Sequence, residues 1–188
     1  RLRRLSVTPA AESWQTCMKD VAARMRISQP VRLMESALIE IPTVIGWLRP
    51  VILIPASILM NLTPRQLEAV LAHELAHIRR HDYLINLIQS AIETLLFYHP
   101  AVWWLSRLIR NEREHCCDDV ALSLLDDRVA YVSALAALEE LRNSPPLTVA
   151  ANGGSLLDRA RRIAGVGPNQ RPLRLIDRWP VAFLSFMT

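Results

Sequence analysis

The segment from Asn61 to Arg80 constrains this chain more than any other, because it reads as one strongly specified helix whose inward face is interrupted by two imidazoles and a carboxylate. Thr63 can cap it, Pro64 suits its first position and Gln66 completes a capping box, so a helix is expected from there through Arg80. Within it stands His73-Glu74-Leu75-Ala76-His77. Residues four apart lie one turn apart on the same face, so both imidazoles can reach a single metal ion, and Glu74 sits beside them to take a proton from a water. Leu67, Val70, Leu71 and Ala76 would otherwise make that face plainly apolar. Burying two histidines and a glutamate there with neither metal nor partners would cost several kcal/mol. The bland alternative, two histidines that are merely hydrogen-bonded, has to meet that cost with partners alone.

A catalytic zinc site takes three protein ligands and keeps one position open. His81 continues the spacing of His73 and His77, but eight residues of helix span about 12 Å, too far for both end imidazoles to share one ion. The better donor lies in Asn111-Glu112-Arg113-Glu114-His115-Cys116-Cys117-Asp118-Asp119. Glu114 and Asp118 are four apart and share a face, so one can ligate while the other accepts a proton from a ligand imidazole and fixes its tautomer. Glu112 is the closest rival to Glu114 and lacks such a partner one turn on. A solvated acidic cluster paired with Arg110 and Arg113 would be the ordinary reading of this run without the histidine helix. Cys116 and Cys117 could be soft ligands of a closed structural site. Neighbours on a helix diverge by about 100 degrees, so they are read instead as small packing residues.

Around these two helices the chain reads as one domain of mainly helical α+β class with a small sheet ahead of the histidine helix. Trp14, Cys17, Met18, Val21 and Met25 recur at helical spacing between residues 10 and 26, and Pro30 ends that helix. Three β-prone runs follow, Val31 to Met34, Thr43 to Trp47 and Val51 to Ile54, with prolines at their ends as edge geometry requires. Leu84 to Tyr98 is very apolar, yet Asn86, Gln89, Ser90, Glu93 and Thr94 form a polar stripe that argues against a simple lipid-spanning helix. His99-Pro100 breaks the run, and a helix is expected from Pro100 to about Leu125. Its Trp103 and Trp104 beside Arg107 and Arg110 suit a membrane interface or a core equally. A further helix is expected at 127–142, a loop from Asn143 to Gly154, and a short basic helix from Leu156 to Ile163.

Lys19 is the single lysine among 22 basic residues, a bias that says little about partners. Placement says more. Arg1, Arg3 and Arg4 open the chain, and Arg171, Arg174 and Arg178 precede Trp179 and the apolar Val181 to Met187, as expected where cytosolic loops meet transmembrane helices. The resulting organisation is a basic juxtamembrane segment at 1–9, a zinc peptidase domain at 10–142, a loop, basic helix and linker at 143–178, and the start of a transmembrane helix at 179–188. No nucleic-acid partner is expected, since the arginines are scattered among 18 acids. Cys17 and the adjacent Cys116 and Cys117 offer no disulfide framework and suit a reducing compartment.

With HELAHIRRHD (73–82), FYHPAVWW (97–104) and EREHCCDD (112–119) in this order, the chain resembles the BlaR/MecR-type membrane metallopeptidases, and IPTVIGWLRPVILIP (41–55) is similar to the strand region ahead of their zinc helix. The resemblance covers about residues 10 to 142. It implies a gluzincin-like domain between transmembrane helices of a bacterial-type inner membrane, facing the cytosol. It also implies one zinc ion held by His73, His77 and Glu114, with Glu74 as general base and Asp118 as the carboxylate behind a ligand histidine. The expected substrate is a peptide or protein: the chain itself, with the loop Asn143 to Gly154 as an accessible site, or a transcriptional repressor. An extended substrate could pair with an edge strand near Thr43 to Trp47. His115, Tyr83 and Arg79 are unranked candidates to stabilise an oxyanion. The rival from another class is a zinc-braced scaffold that transmits signals without hydrolysis; it has no need of Glu74. A small-substrate amidase is a further alternative, disfavoured by the β-prone segment.

Overall fold

The computed structural model describes residues 7–142 and 153–165. The expected apolar stretch at 179–188, residues 1–6 of the expected basic segment and residues 143–152 of the expected loop lie outside the described residues, while Gly153 and Gly154, expected to end that loop, open a helix instead. Strand β1 (Val7–Pro9) leads into α1 (Glu12–Arg24), then β2 (Arg32–Ser36), β3 (Thr43–Ile45) and β4 (Val51–Pro55). Six helices follow: α2 (Ala56–Asn61), α3 (Pro64–Arg79), α4 (Asp82–Leu95), α5 (Pro100–Leu125), α6 (Arg128–Arg142) and α7 (Gly153–Ala164).

The sheet runs β1-β2-β4-β3, with β2 and β4 parallel and both outer strands antiparallel to their neighbours. All five residues of β4 are buried, as expected of an apolar run covered on both faces. β3 is an edge strand, and the turn that joins it to β4 starts at Gly46, whose φ of +86° a side chain would disfavour. β1 was not anticipated. Val7–Pro9 fell in the stretch read as basic and juxtamembrane, and a run of three residues is too short to show a period of two; Thr8 opposite Glu35 sets its register.

Helix α3 occupies the centre. Its capping box forms as its sequence predicts: Thr63 N–H donates to Gln66 Oε1 at 2.9 Å, and Gln66 N–H donates to Thr63 Oγ1 at 3.3 Å. Leu67, Leu71 and Leu75 are wholly buried, and α3 packs against α1, α5 and α6. Each such leucine contributes about 1.5–3 kcal/mol of burial. That packing holds the helix still from three sides and leaves His73, Glu74 and His77 half-buried on the fourth. α3 ends where His81 takes a left-handed conformation (φ 56°), which turns the chain at once into α4. α4 and the first half of α5 form an antiparallel hairpin, and the second half of α5 returns to α3.

Candidate metal centre

Three side chains from two helices converge beside α3. His73 and His77 present their Nε2 atoms to each other at 3.2 Å, with their rings edge-on. Glu114 comes across from α5, placing Oε2 at 3.4 Å from His73 Nε2 and Oε1 at 3.7 Å from His77 Nε2. Ligands held about 2.0–2.2 Å from a tetrahedral ion stand about 3.3–3.6 Å from one another, which is the spacing found here. These three residues could therefore hold one metal ion between them.

The tautomers agree with that. His77 Nδ1 lies 2.7 Å from Asp82 Oδ2, so it carries a proton and donates it. His73 Nδ1 lies 3.0 Å from the Tyr131 hydroxyl, which in turn donates to Asp118 Oδ1 at 2.7 Å. With both Nδ1 atoms committed as donors, both Nε2 atoms turn lone pairs toward each other and toward a carboxylate. Facing lone pairs need a cation, a proton or a metal, to share. Without a metal the proton serves: burial alone would push the His73 pKa down, but hydrogen bonds to Asp118 and Glu114 outweigh it and hold it at about 9. Burial likewise pushes Glu114 up, and its bond to His73, with Arg159 and His77 nearby, brings it down to about 2.

Behind the three donors lies a buried polar layer. Arg159, from α7, donates through Nε to Asp118 Oδ2 at 2.9 Å and through Nη2 to Asp118 Oδ1, and its Nη1 stands 3.1 Å from Glu114 Oε2. Its Nη2 also lies 3.3 Å from each ring nitrogen of His73. Asp118 is fully buried and is held well below the usual carboxylate range: His73 and Arg159 overcome the cost of burial. Arg162 adds a second guanidinium, 2.9 Å from Asp119 and 3.2 Å from the His115 carbonyl.

Of the residues singled out from sequence, His73, His77, Glu114 and Asp118 are brought together, with Asp118 on the Nδ1 side of His73. Glu74 lines the same cavity, of about 740 Å³, as do His81 and Tyr83. Glu112 and Arg79 are exposed. His115 presents its carbonyl to Arg162. Cys117 is buried with Sγ 3.3 Å from both His77 Nδ1 and Asp82 Oδ2, on the side of the ring away from Glu114; burial, then Asp82, pushes its thiol pKa up, so it remains a donor to that carboxylate. Three participants were missed by sequence reasoning. Tyr131 carried no signal apart from helical periodicity. Asp82 follows the helix end, five residues beyond His77. Arg159 did carry one: it shares the apolar face of its helix with Leu156 and Ile163, where an arginine needs a buried partner.

The cavity opens between α3 and the edge of the sheet. It is lined by Pro42, Thr43, Val44 and Trp47 from the sheet side, by Ala69, Val70, Glu74 and His77 of α3, and by Leu135, Leu138 and Leu156 of α6 and α7.

Sequence comparison places this arrangement among known proteins. A family model described as BlaR1 peptidase M56 matches residues 2–164. The chain is 34% identical over 116 residues to the regulatory protein BlaR1 of Bacillus licheniformis, covering 62% of this chain and 18% of that protein. It is 23% identical over 146 residues to the methicillin resistance mecR1 protein of Staphylococcus aureus, covering 74% of this chain and 25% of that protein. A shorter match, 44% over 50 residues, relates 27% of this chain to 17% of the protease HtpX homolog 2 of Methanosarcina acetivorans. The chain thus corresponds to no more than about a quarter of the length of these relatives.

Proposed function

Because this chain belongs to the BlaR1 peptidase M56 family, we propose that it is a zinc-dependent endopeptidase domain of an integral membrane signalling protein, facing the cytosol and cleaving a peptide bond in itself or in a cytosolic regulator. The observation that carries the reading is the convergence of His73, His77 and Glu114 at 3.2–3.7 Å, on a cavity that Glu74 and the outer strand β3 of the described sheet also line. Zinc held by those three residues would supply a Lewis acid that polarises the scissile carbonyl and makes a water acidic near neutral pH.

The rest is the work of this chain's own groups. The outer edge of β3 binds the substrate backbone in extended form and sets the register of the scissile bond. Trp47 and the apolar Leu135 and Leu138 exclude water from the flanking side chains. Glu74 takes the proton of the attacking water and returns it to the departing amine. Asp82 fixes the tautomer of His77, and the Tyr131–Asp118 pair fixes that of His73, so both Nε2 lone pairs stay on the cavity side. Arg159 keeps Asp118 ionised and offsets the negative charge of Glu114.

The regulatory protein BlaR1 of B. licheniformis and the methicillin resistance mecR1 protein of S. aureus are named for regulation and resistance, and a regulatory target for this chain is proposed on that similarity. The deciding experiment compares the full-length protein with its Glu74→Gln variant for bound zinc and for proteolysis. Equal zinc in both, with cleavage lost in the variant by about 10²–10⁴-fold, is the expected result. Signalling that persists unchanged in the variant would instead make the metal a brace between α3 and α5 and the domain a non-catalytic transducer.

A further inference from the structure

The hairpin of α4 and the first half of α5 is built inside out. Its buried side chains there are polar, Gln89 and Ser106: Gln89 Nε2 donates to the Ser106 carbonyl at 2.9 Å and to half-buried Glu93 Oε1 at 3.2 Å, Glu93 pairs with Arg110 at 2.6 Å, and Arg113 donates to the exposed Asn86 Oδ1. Most of its outward side chains are apolar. Leu87 and Ile88 are 58% and 61% exposed on α4, Leu95 is 75% exposed near its end, and Phe97, Tyr98 and Trp104 are exposed around the tip. Between Tyr83 and Ser106 Glu93 is the single carboxylate, and no lysine or arginine occurs. In water this distribution buries the wrong groups; in hydrocarbon it buries the right ones.

We propose that this hairpin is seated in lipid, its tip dipping through the headgroups into one leaflet of an anionic phospholipid bilayer without crossing it. Two further observations choose lipid over a protein groove. Much of the polar backbone and side-chain complement of the tip is bonded internally: Leu96 N–H donates to the Ile92 carbonyl, His99 N–H to the Leu96 carbonyl, Ala101 N–H to His99 Nδ1, the Trp103 indole to the Phe97 carbonyl and the Thr94 hydroxyl to the Ser90 carbonyl. A turn in contact with water has no need of this, whereas a turn in hydrocarbon must have it. The charge is also complementary to an anionic surface. The apolar stretch gives way to exposed Arg79 and Arg107 and half-buried Arg113, placed to meet phosphate while their stems follow the chain inward.

Length fixes the depth. The 14 residues of α4 span about 21 Å, against about 30 Å for the hydrocarbon core, so the hairpin passes beyond a headgroup layer and turns back. No described helix is long and apolar enough to cross a membrane. The attachment requires neither metal nor hydrolysis, and its test is separate from that of the peptidase reading.

The chain is translated in a cell-free system with vesicles of phosphatidylcholine and phosphatidylglycerol, so that it is offered lipid as it folds, and is then floated on a density gradient. In a chain whose Trp179 is already replaced (Trp179→Phe), flotation with quenching of tryptophan emission by brominated phospholipid is the expected result, with the quenching lost when Trp103→Phe and Trp104→Phe are added. A Leu87→Glu, Ile88→Glu variant, with helix content checked by circular dichroism, is expected to partition at least roughly a hundredfold less, because two carboxylates would enter hydrocarbon. Quenching that survives the loss of Trp103 and Trp104 assigns the lipid contact elsewhere and overturns the proposal. So does a chain that stays below the vesicles as a dimer which the Leu87→Glu, Ile88→Glu variant dissociates, since the face would then bind a second copy.

Discussion

The two halves of α5 lie in opposite environments. From Arg110 onward it delivers Cys117, Asp118 and Ala121 to a dense interior, and half-buried Glu114 to the polar layer that the apolar groups surround. Before Arg110 it shows Trp103, Trp104 and Leu105 outward and keeps Ser106 inside. One helix thus obeys two patterning rules, and the change falls at the Glu93–Arg110 pair. The lesson is that a helix's outward face has to be judged against the medium it meets, and that polar residues mark the inside of the hairpin as apolar residues mark the inside of the core.

That contrast can be broken most severely at Asp118. Asp118→Ala leaves the buried Arg159 without its main partner, and an expected loss of about 3–5 kcal/mol in denaturant unfolding follows, with metal affinity falling roughly 10–100-fold. A variant that unfolds at the wild-type midpoint would show that the polar layer behind the imidazoles is not structural. Next comes a matched pair of leucines. Leu71→Ala, in the core, is expected to cost about 2–5 kcal/mol, while Leu87→Ala, on the hairpin, changes unfolding in water by no more than about 0.5 kcal/mol. Equal losses would mean that the hairpin's outer face is buried in the free protein.

The pH dependence of the metal-free chain sharpens the core side. His73 is raised to about 9 from its usual 6.5, so its ion pair contributes stability that is fully present below 6.5 and is lost as pH rises through 9. Glu114, lowered to about 2 from 4.5, contributes stability present above 4.5 and lost as pH falls through 2. Both report the same pair and are not summed; the metal-free protein should be most stable between pH 4.5 and 6.5 and weaken by about 3 kcal/mol toward pH 9. Zinc has to displace the His73 proton, so titrations should show apparent affinity rising about tenfold per pH unit up to 9 and levelling above it. A milder effect on the metal site than that of Asp118→Ala is expected of Tyr131→Phe, which removes the relay between His73 and Asp118 but leaves the carboxylate 3.3 Å from Nδ1. Metal affinity should fall by about tenfold with the fold intact, as calorimetry can show.

Local rules explain which parts of this architecture were readable. Thr63, Pro64 and Gln66 announce the start of α3, His99 and Pro100 that of α5, because capping and proline chemistry act within four residues. The donors followed for the same reason: spacing of four on a helix is a geometric statement that needs no tertiary information. β1 and α2, at three and six residues, are too short for periodicity to register. The end of α3 near Arg80 was expected, but the left-handed turn at His81 was not, because a single residue at positive φ leaves no period in the sequence. Arg159 stands 41 residues from Asp118, and nothing in the spacing joins them. The basic helix that carries it was read as lying outside the peptidase unit, whereas α7 packs on α6 and completes the polar layer.

The two-residue joint at Arg80 and His81 bears on how this protein can be engineered. Asp82, the first residue of the hairpin, holds His77, and Glu114 sits farther along the helix that forms the hairpin's second arm. Excising the hairpin to obtain a water-soluble domain would therefore remove the orientation of one imidazole and the anchorage of the carboxylate. Repainting is the workable route: polar side chains at Leu87, Ile88, Leu95 and Trp104, with Gln89, Glu93 and Ser106 untouched, would change the solvent the protein accepts and keep the frame that aims its donors.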